Sequence, residues 1–147
     1  MSGIGYTYQN PIVLIGSKSG TTRTPSALTA TASDNAKTFD TKGMSKTNLS
    51  ILYTTGAGET SNTLNITVES SPDNTNFYQI VNESASSGTS TLFQRSFVFT
   101  GTDAATAYSY SLPLDIQDKF MKISVSEGGV ITNFGTVYVE AMLSGAR

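Results

Sequence analysis

The chain has 147 residues, a formal net charge of −2, and no Cys, His or Trp. Without Cys there is no disulfide framework, no thiolate nucleophile and no cysteine-type zinc site, and without His the commonest general base and transition-metal ligand are missing. Charged residues make up 14% of the chain, against roughly a quarter in an ordinary domain, so 20 Ser and 22 Thr must supply much of the polar surface.

In chain order, residues 1–26 read as an irregular arm. Gly3, Gly5, Gly16 and Gly20 punctuate it, and Pro11 and Pro25 favour extended or turn conformations. Its one apolar run is Ile12-Val13-Leu14-Ile15, which has two plausible uses. It can tuck into the protein's own core, or it can pin one subunit to another. From residue 27 onward the period is 2. Ala27–Thr31 alternates weakly, Lys37–Thr41 turns Phe39 inward, and Asn48–Thr55 sets Leu49, Ile51 and Tyr53 on one face. Thr63–Ser70 alternates cleanly, and Asn76–Asn82 follows a turn at SPDN. After a small-residue loop at 84–90, Gln94–Thr100 places Phe97 and Phe99 together. Ala107–Leu114 aligns Tyr108, Tyr110 and Leu112. Lys119–Ser126 alternates imperfectly around Met121, with EGG (127–129) as a turn. Thr136–Leu143 ends the series with Val137, Val139, Ala141 and Leu143. About eight or nine short strands with turn signals every 8–12 residues predict an all-β, antiparallel, jelly-roll-like sandwich over 27–147, preceded by the extended arm.

Charge is uneven along the chain. Residues 1–46 carry Lys18, Arg23, Lys37, Lys42 and Lys46 against Asp34 and Asp40, and the remainder is acidic. A mildly basic arm on an acidic body is one way to dock on an acidic surface. The basic residues do not cluster into a nucleic-acid stripe, and no run approaches the roughly 20 apolar residues of a membrane span. No signal peptide is read at the start of the chain.

The sequence is poor in catalytic patterns. No Ser sits in a G-x-S-x-G setting, and GAGET (56–60) lacks the Lys and the following helix of a phosphate loop. Asp115 and Asp118 are three apart in a connection and read as turn formers. Asp73 in PDNTN reads as an Asx turn rather than a calcium ligand, since the alternating carboxylates, glycine and distal Glu of a calcium loop are missing. Tyr108 and Tyr110 read as core residues rather than a sugar platform. The expectation is a protein that is not an enzyme and needs no cofactor or metal.

Four stretches carry a resemblance. NLSILYTT (48–55) is followed by LNITVESSPDNTNFYQI (64–80), with an aromatic shortly after the S-x-D turn. Then come KFMKISV (119–125) and the final VYVE (137–140). Over about residues 48–145 the chain resembles the β-sandwich decoration, or auxiliary, proteins of tailed-bacteriophage capsids. The resemblance implies a structural virion protein made in the bacterial host cytoplasm. It implies binding to the outer surface of the capsid and stabilisation of the lattice of major capsid protein. It also implies a homo-oligomer, with a trimer favoured; that neither nucleic acid nor membrane is a partner is the expectation from the scattered basic residues and the short apolar runs. The expected capsid or subunit contacts lie in the arm: Ile12, Val13, Leu14, Ile15, Lys18 and Arg23. The alternative is a carbohydrate-binding sandwich module of a phage head or tail fibre, in which a Trp usually stands where this chain has Phe77. A ring-forming tail or neck component is a third possibility.

Overall fold

Strict alternation of apolar and polar side chains is what decides this architecture, because a two-residue period buries one face of a strand and wets the other. The computed structural model describes residues 6–79, 82–83, 90–91, 95–101, 103–129 and 132–146. The first five residues of the expected arm, Ile80 and most of the loop at 84–90 lie outside the described residues. In chain order the strands are β1 Tyr6–Tyr8, β2 Ile12–Ile15, β3 Ser17–Ser19, β4 Thr22–Thr24, β5 Ser26–Ala27, β6 Ala36–Asp40, β7 Lys46–Thr54 and β8 Asn62–Ser71. They continue with β9 Tyr78–Gln79, β10 Asn82–Glu83, β11 Ser90–Thr91, β12 Arg95–Gly101, β13 Ala107–Asp115, β14 Phe120–Gly128 and β15 Thr136–Ala146. A single 3₁₀ turn among the described residues, Ala32–Asn35, precedes β6.

One sheet has six strands: β1, β2 and β5 lie along β15, and β7 and β13 follow it. The other has five: β12 and β9 lie along β8, followed by β14 and β6. All of these pairings are antiparallel. The eight principal strands are β2, β6, β7, β8, β12, β13, β14 and β15. Numbered first to eighth, they run first-eighth-third-sixth in one sheet and second-seventh-fourth-fifth in the other. That is the strand order of a jelly roll. The strand number exceeds the expected eight or nine because short pieces add to this frame. Gly16, Gly20 and Pro25 cut the N-terminal segment into two- to four-residue strands.

The core lies between the sheets. Leu49, Ile51 and Tyr53 of β7 and Val137, Val139, Ala141 and Leu143 of β15 come from one side. Leu64, Ile66 and Val68 of β8 and Met121, Ile123 and Val125 of β14 come from the other, and all are at most 3% exposed. Each large aliphatic residue buried in this way contributes about 1.5–3 kcal/mol relative to exposure. The inward register of β14 is cleaner than the sequence suggests: Met121, Ile123, Val125 and Glu127 all point in, and Phe120 lies in the opposite phase.

The N-terminal segment departs most from expectation. Across residues 6–27 it is stitched onto the sandwich and is not a free arm. β1, β2 and β5 all pair with β15. The β2–β15 register shifts at Val139/Glu140, a β-bulge that leaves Leu14 without an opposite number. A bulge breaks the two-residue period, so consecutive residues can turn the same way. Leu14 and Ile15 are both buried in the core as a result.

Candidate functional site

The six expected contact residues divide into two groups. Ile12, Val13, Leu14 and Ile15 form β2, and of the two uses open to them Ile12, Leu14 and Ile15 take the inward one, while Val13 is half-buried opposite Glu140. Leu14 and Ile15 join the core, and Ile12 packs against it half-buried. They are therefore not presented as an apolar hook. Lys18 and Arg23 are brought together on the outer face of the six-stranded sheet. They sit directly opposite one another in the β3–β4 hairpin, a two-stranded ribbon of its own.

Beneath that hairpin lies Glu140. Arg23 Nη2 donates to Glu140 Oε1 at 3.1 Å, Lys18 Nζ to Oε2 at 3.5 Å, and the Tyr138 hydroxyl to Oε2 at 2.9 Å. The Arg23 guanidinium also stands 5.8 Å from the centre of the Tyr138 ring, within cation–π range. Burial pushes the Glu140 carboxyl up, but the Tyr138 hydroxyl, the Arg23 guanidinium and the Lys18 ammonium together outweigh it. The group is held below its ordinary value of 4.5. The Tyr138 hydroxyl is pushed up, first by burial and then by its bond to Glu140. Tyr138 and Glu140 face outward, yet they are only 1% and 7% exposed. This is why β15 shows no wet face over Val137–Ala141.

Gly16 makes the arrangement possible. It has φ +90°, and a Cβ there would meet the Thr24 carbonyl oxygen at 2.6 Å and the Tyr138 ring at 2.9 Å. The chain can thus leave the core strand β2 and fold back over β15 without a side chain in the way.

Beside the hairpin the outer face is open and nearly uncharged. Ser50 and Leu52 of β7, Ser109 and Ser111 of β13, Arg23 and Tyr138 line a groove of about 350 Å³. Next to it, Asn48 and Ser111 exchange hydrogen bonds of 2.9 and 3.1 Å, tying the two strands on the wet side. The short side chains make this a shallow face.

A second carboxyl cluster sits at the end of the sandwich where β7, β8 and β14 meet the segment before β15. Glu127, 1% exposed, accepts from the Tyr53 hydroxyl at 2.5 Å, the Gly135 N–H at 2.7 Å and the Asn62 amide at 3.1 Å. Burial, and then the Glu127 carboxyl, push the Tyr53 hydroxyl well above its usual range. Gly135 has to be glycine, because a Cβ there would lie 2.0 Å from the Thr54 carbonyl oxygen. Nearby, Glu59 accepts the Thr132 and Asn133 N–H groups at 2.6 and 2.7 Å and clamps two loops together.

The remaining candidates behave as structural groups. Asp73 accepts from the N–H groups of Asn76 and Thr75, the Asn76 side chain and the Ser71 hydroxyl, and these bonds hold its carboxyl well below the usual range. That is an Asx turn, with Asn74 at φ +60°. Tyr108 and Tyr110 face inward: Tyr110 stacks on Phe99 at 4.2 Å and Tyr108 on Tyr53 at 6.4 Å. Tyr78 is the aromatic that remains on the surface near the SPDN turn, 58% exposed. Among the described residues, no three His, Cys, Asp or Glu side chains are grouped so as to hold a metal ion.

Sequence reasoning missed Glu127 and Glu140, although the strand phases carry both. Glu127 continues the inward series Met121-Ile123-Val125, and Glu140 continues the outward series from Tyr138. Comparisons with family models, with curated proteins and with solved structures find no match to this chain.

Proposed function

We propose that this jelly roll is a non-enzymatic structural protein that binds the outer surface of a tailed-phage capsid and stabilises its lattice of major capsid protein. The observation that carries the reading is the open outer face of the six-stranded sheet. Ser50, Leu52, Ser109 and Ser111 present a shallow, low-charge surface bordered by Arg23. Short side chains lose little rotamer freedom on docking, so such a face suits attachment to another flat surface. The sequence resemblance to capsid decoration proteins supplies the partner, and a homotrimer is the assembly it favours. The contact surface proposed here is this face rather than the Ile12–Ile15 strand, in which Ile12, Leu14 and Ile15 pack inward. A protein that binds the assembled lattice and not its separated subunits stabilises the lattice by its binding free energy, and many copies add to one another.

The test is co-sedimentation with capsids assembled from the cognate major capsid protein without this chain. The expected result is saturable binding at a fixed copy number, with a higher capsid melting temperature. Ser109→Glu combined with Ser111→Glu should weaken binding at least tenfold and leave the fold intact. Failure of the wild-type protein to sediment with capsids would overturn the proposal. Saturable binding to a glycan array, lost in Tyr78→Ala, would favour the carbohydrate-binding alternative.

A further inference from the structure

The β3–β4 hairpin is an unusual covering element. Residues 17–24 read SKSGTTRT, with no large apolar side chain, and all six strand residues are exposed. Its strands pair with each other and not with either main sheet. Isolated two-stranded hairpins are marginal in water, so this one depends on what fastens it. The fastenings are the two ion pairs to Glu140 and the Arg23–Tyr138 contact. Gly16 at φ +90° and Pro25 bound the segment and mark where it bends away from β2 and β5.

We propose that residues 17–24 are a charge-latched strap, held over Tyr138 by Glu140, which lifts as a unit when the Glu140 carboxylate is screened or neutralised while the jelly roll stays folded. The charges are unequal, since two cations meet one carboxylate, so the strap keeps net positive charge at the border of the open groove. Half-exposed ion pairs are screened by salt, and the buried Leu/Ile/Val core is not. The latch is therefore the element that ionic conditions move first. Acid acts in the same direction. The charged and titratable groups facing Glu140 are Lys18, Arg23 and the Tyr138 hydroxyl.

Trypsin reads the strap directly, because Lys18 and Arg23 are its cleavage sites there, and Lys122, the third residue of β14, reports on the sandwich. In the wild-type protein at pH 8, cutting after Lys18 and Arg23 should rise several-fold between about 0.02 and 0.5 M salt, with Lys122 protected throughout. In Glu140→Gln the strap should be cut about tenfold faster at low salt and lose its salt dependence. Lys18→Gln, a substitution on the surface, should accelerate cutting after Arg23 about threefold, which tests the latch even if Glu140→Gln fails to fold. Amide exchange at Ser19–Thr22 in the wild-type protein should follow the same salt curve. Equal strap cleavage in wild type and Lys18→Gln, or cleavage at Lys122 in step with the strap, would overturn the proposal.

Discussion

Glu127 and Glu140 are two buried glutamates with opposite surroundings. Glu127 lies at the end of the core and takes its hydrogen bonds from neutral donors on three parts of the chain: Tyr53, Asn62 and Gly135. Glu140 lies on the outer face beneath a polar hairpin and is held by two cations whose side chains are 29% and 47% exposed. The first carboxyl joins strands that are already packed, so its loss leaves buried donors with nothing to bind. The second joins a packed strand to a segment with no core of its own, so its loss frees that segment and, within the sandwich, unpairs the Tyr138 hydroxyl alone among its donors. Burial alone does not tell the two apart. What differs is whether the partners are themselves fixed.

This contrast can be broken by substitution. The largest effect is expected for Glu127→Ala, which strands three donors in the interior. A loss of about 3–5 kcal/mol in urea unfolding is expected, and a value under 1 kcal/mol would show that the cluster does not join the strands as described. Leu14→Ala should cost about 2–4 kcal/mol, because the bulge turns Leu14 into the core. A neutral result, with loss of capsid binding instead, would return this residue to an anchoring role. Tyr53→Phe removes one donor from Glu127 and should cost about 1–3 kcal/mol while the ring packing survives. The smallest effect on global unfolding is expected for Glu140→Gln, under about 1 kcal/mol, although the same variant opens the strap to trypsin.

The pH dependence of the strap follows from the lowered folded-state position of Glu140. A carboxyl held below its unfolded value contributes stability that is present in full above the ordinary value of 4.5 and is lost as pH falls through the folded value. Strap amides should therefore be protected at pH 6 and exchange faster, relative to an unstructured peptide, below pH 4. Glu140→Gln should abolish that step.

Much of the sandwich is legible in the sequence because its long strands keep one phase. β7, β8 and β13 alternate over nine or ten residues, and a one-residue slip would turn every core side chain outward. The N-terminal segment is not legible in this way. β2 is four residues long and finds its partner in β15 more than 120 positions later, and its bulge hides the two-residue period. The hairpin at 17–24 reads as a flexible polar loop because nothing within it favours a packed state. What holds it is a glutamate near the other end of the chain. Glu140 was hidden because an outward-facing Tyr and Glu look like ordinary wet positions until a separate segment covers them. Glu127 was hidden by the two glycines after it, which make EGG look like the start of a turn.

The position of β15 also sets the order of events during synthesis. This strand lies in the interior of the six-stranded sheet, between β7 and the short strands β1, β2 and β5. Until it leaves the ribosome, β1, β2 and β5 have no sheet to join, and β7 lacks one of its two neighbours. Non-local pairing of this kind is slow and leaves strand edges open in the meantime. A nascent chain halted at residue 135 should therefore hold the five-stranded sheet at most in a loose form. Emergence of β15 then supplies the strand that joins β7 to β1, β2 and β5.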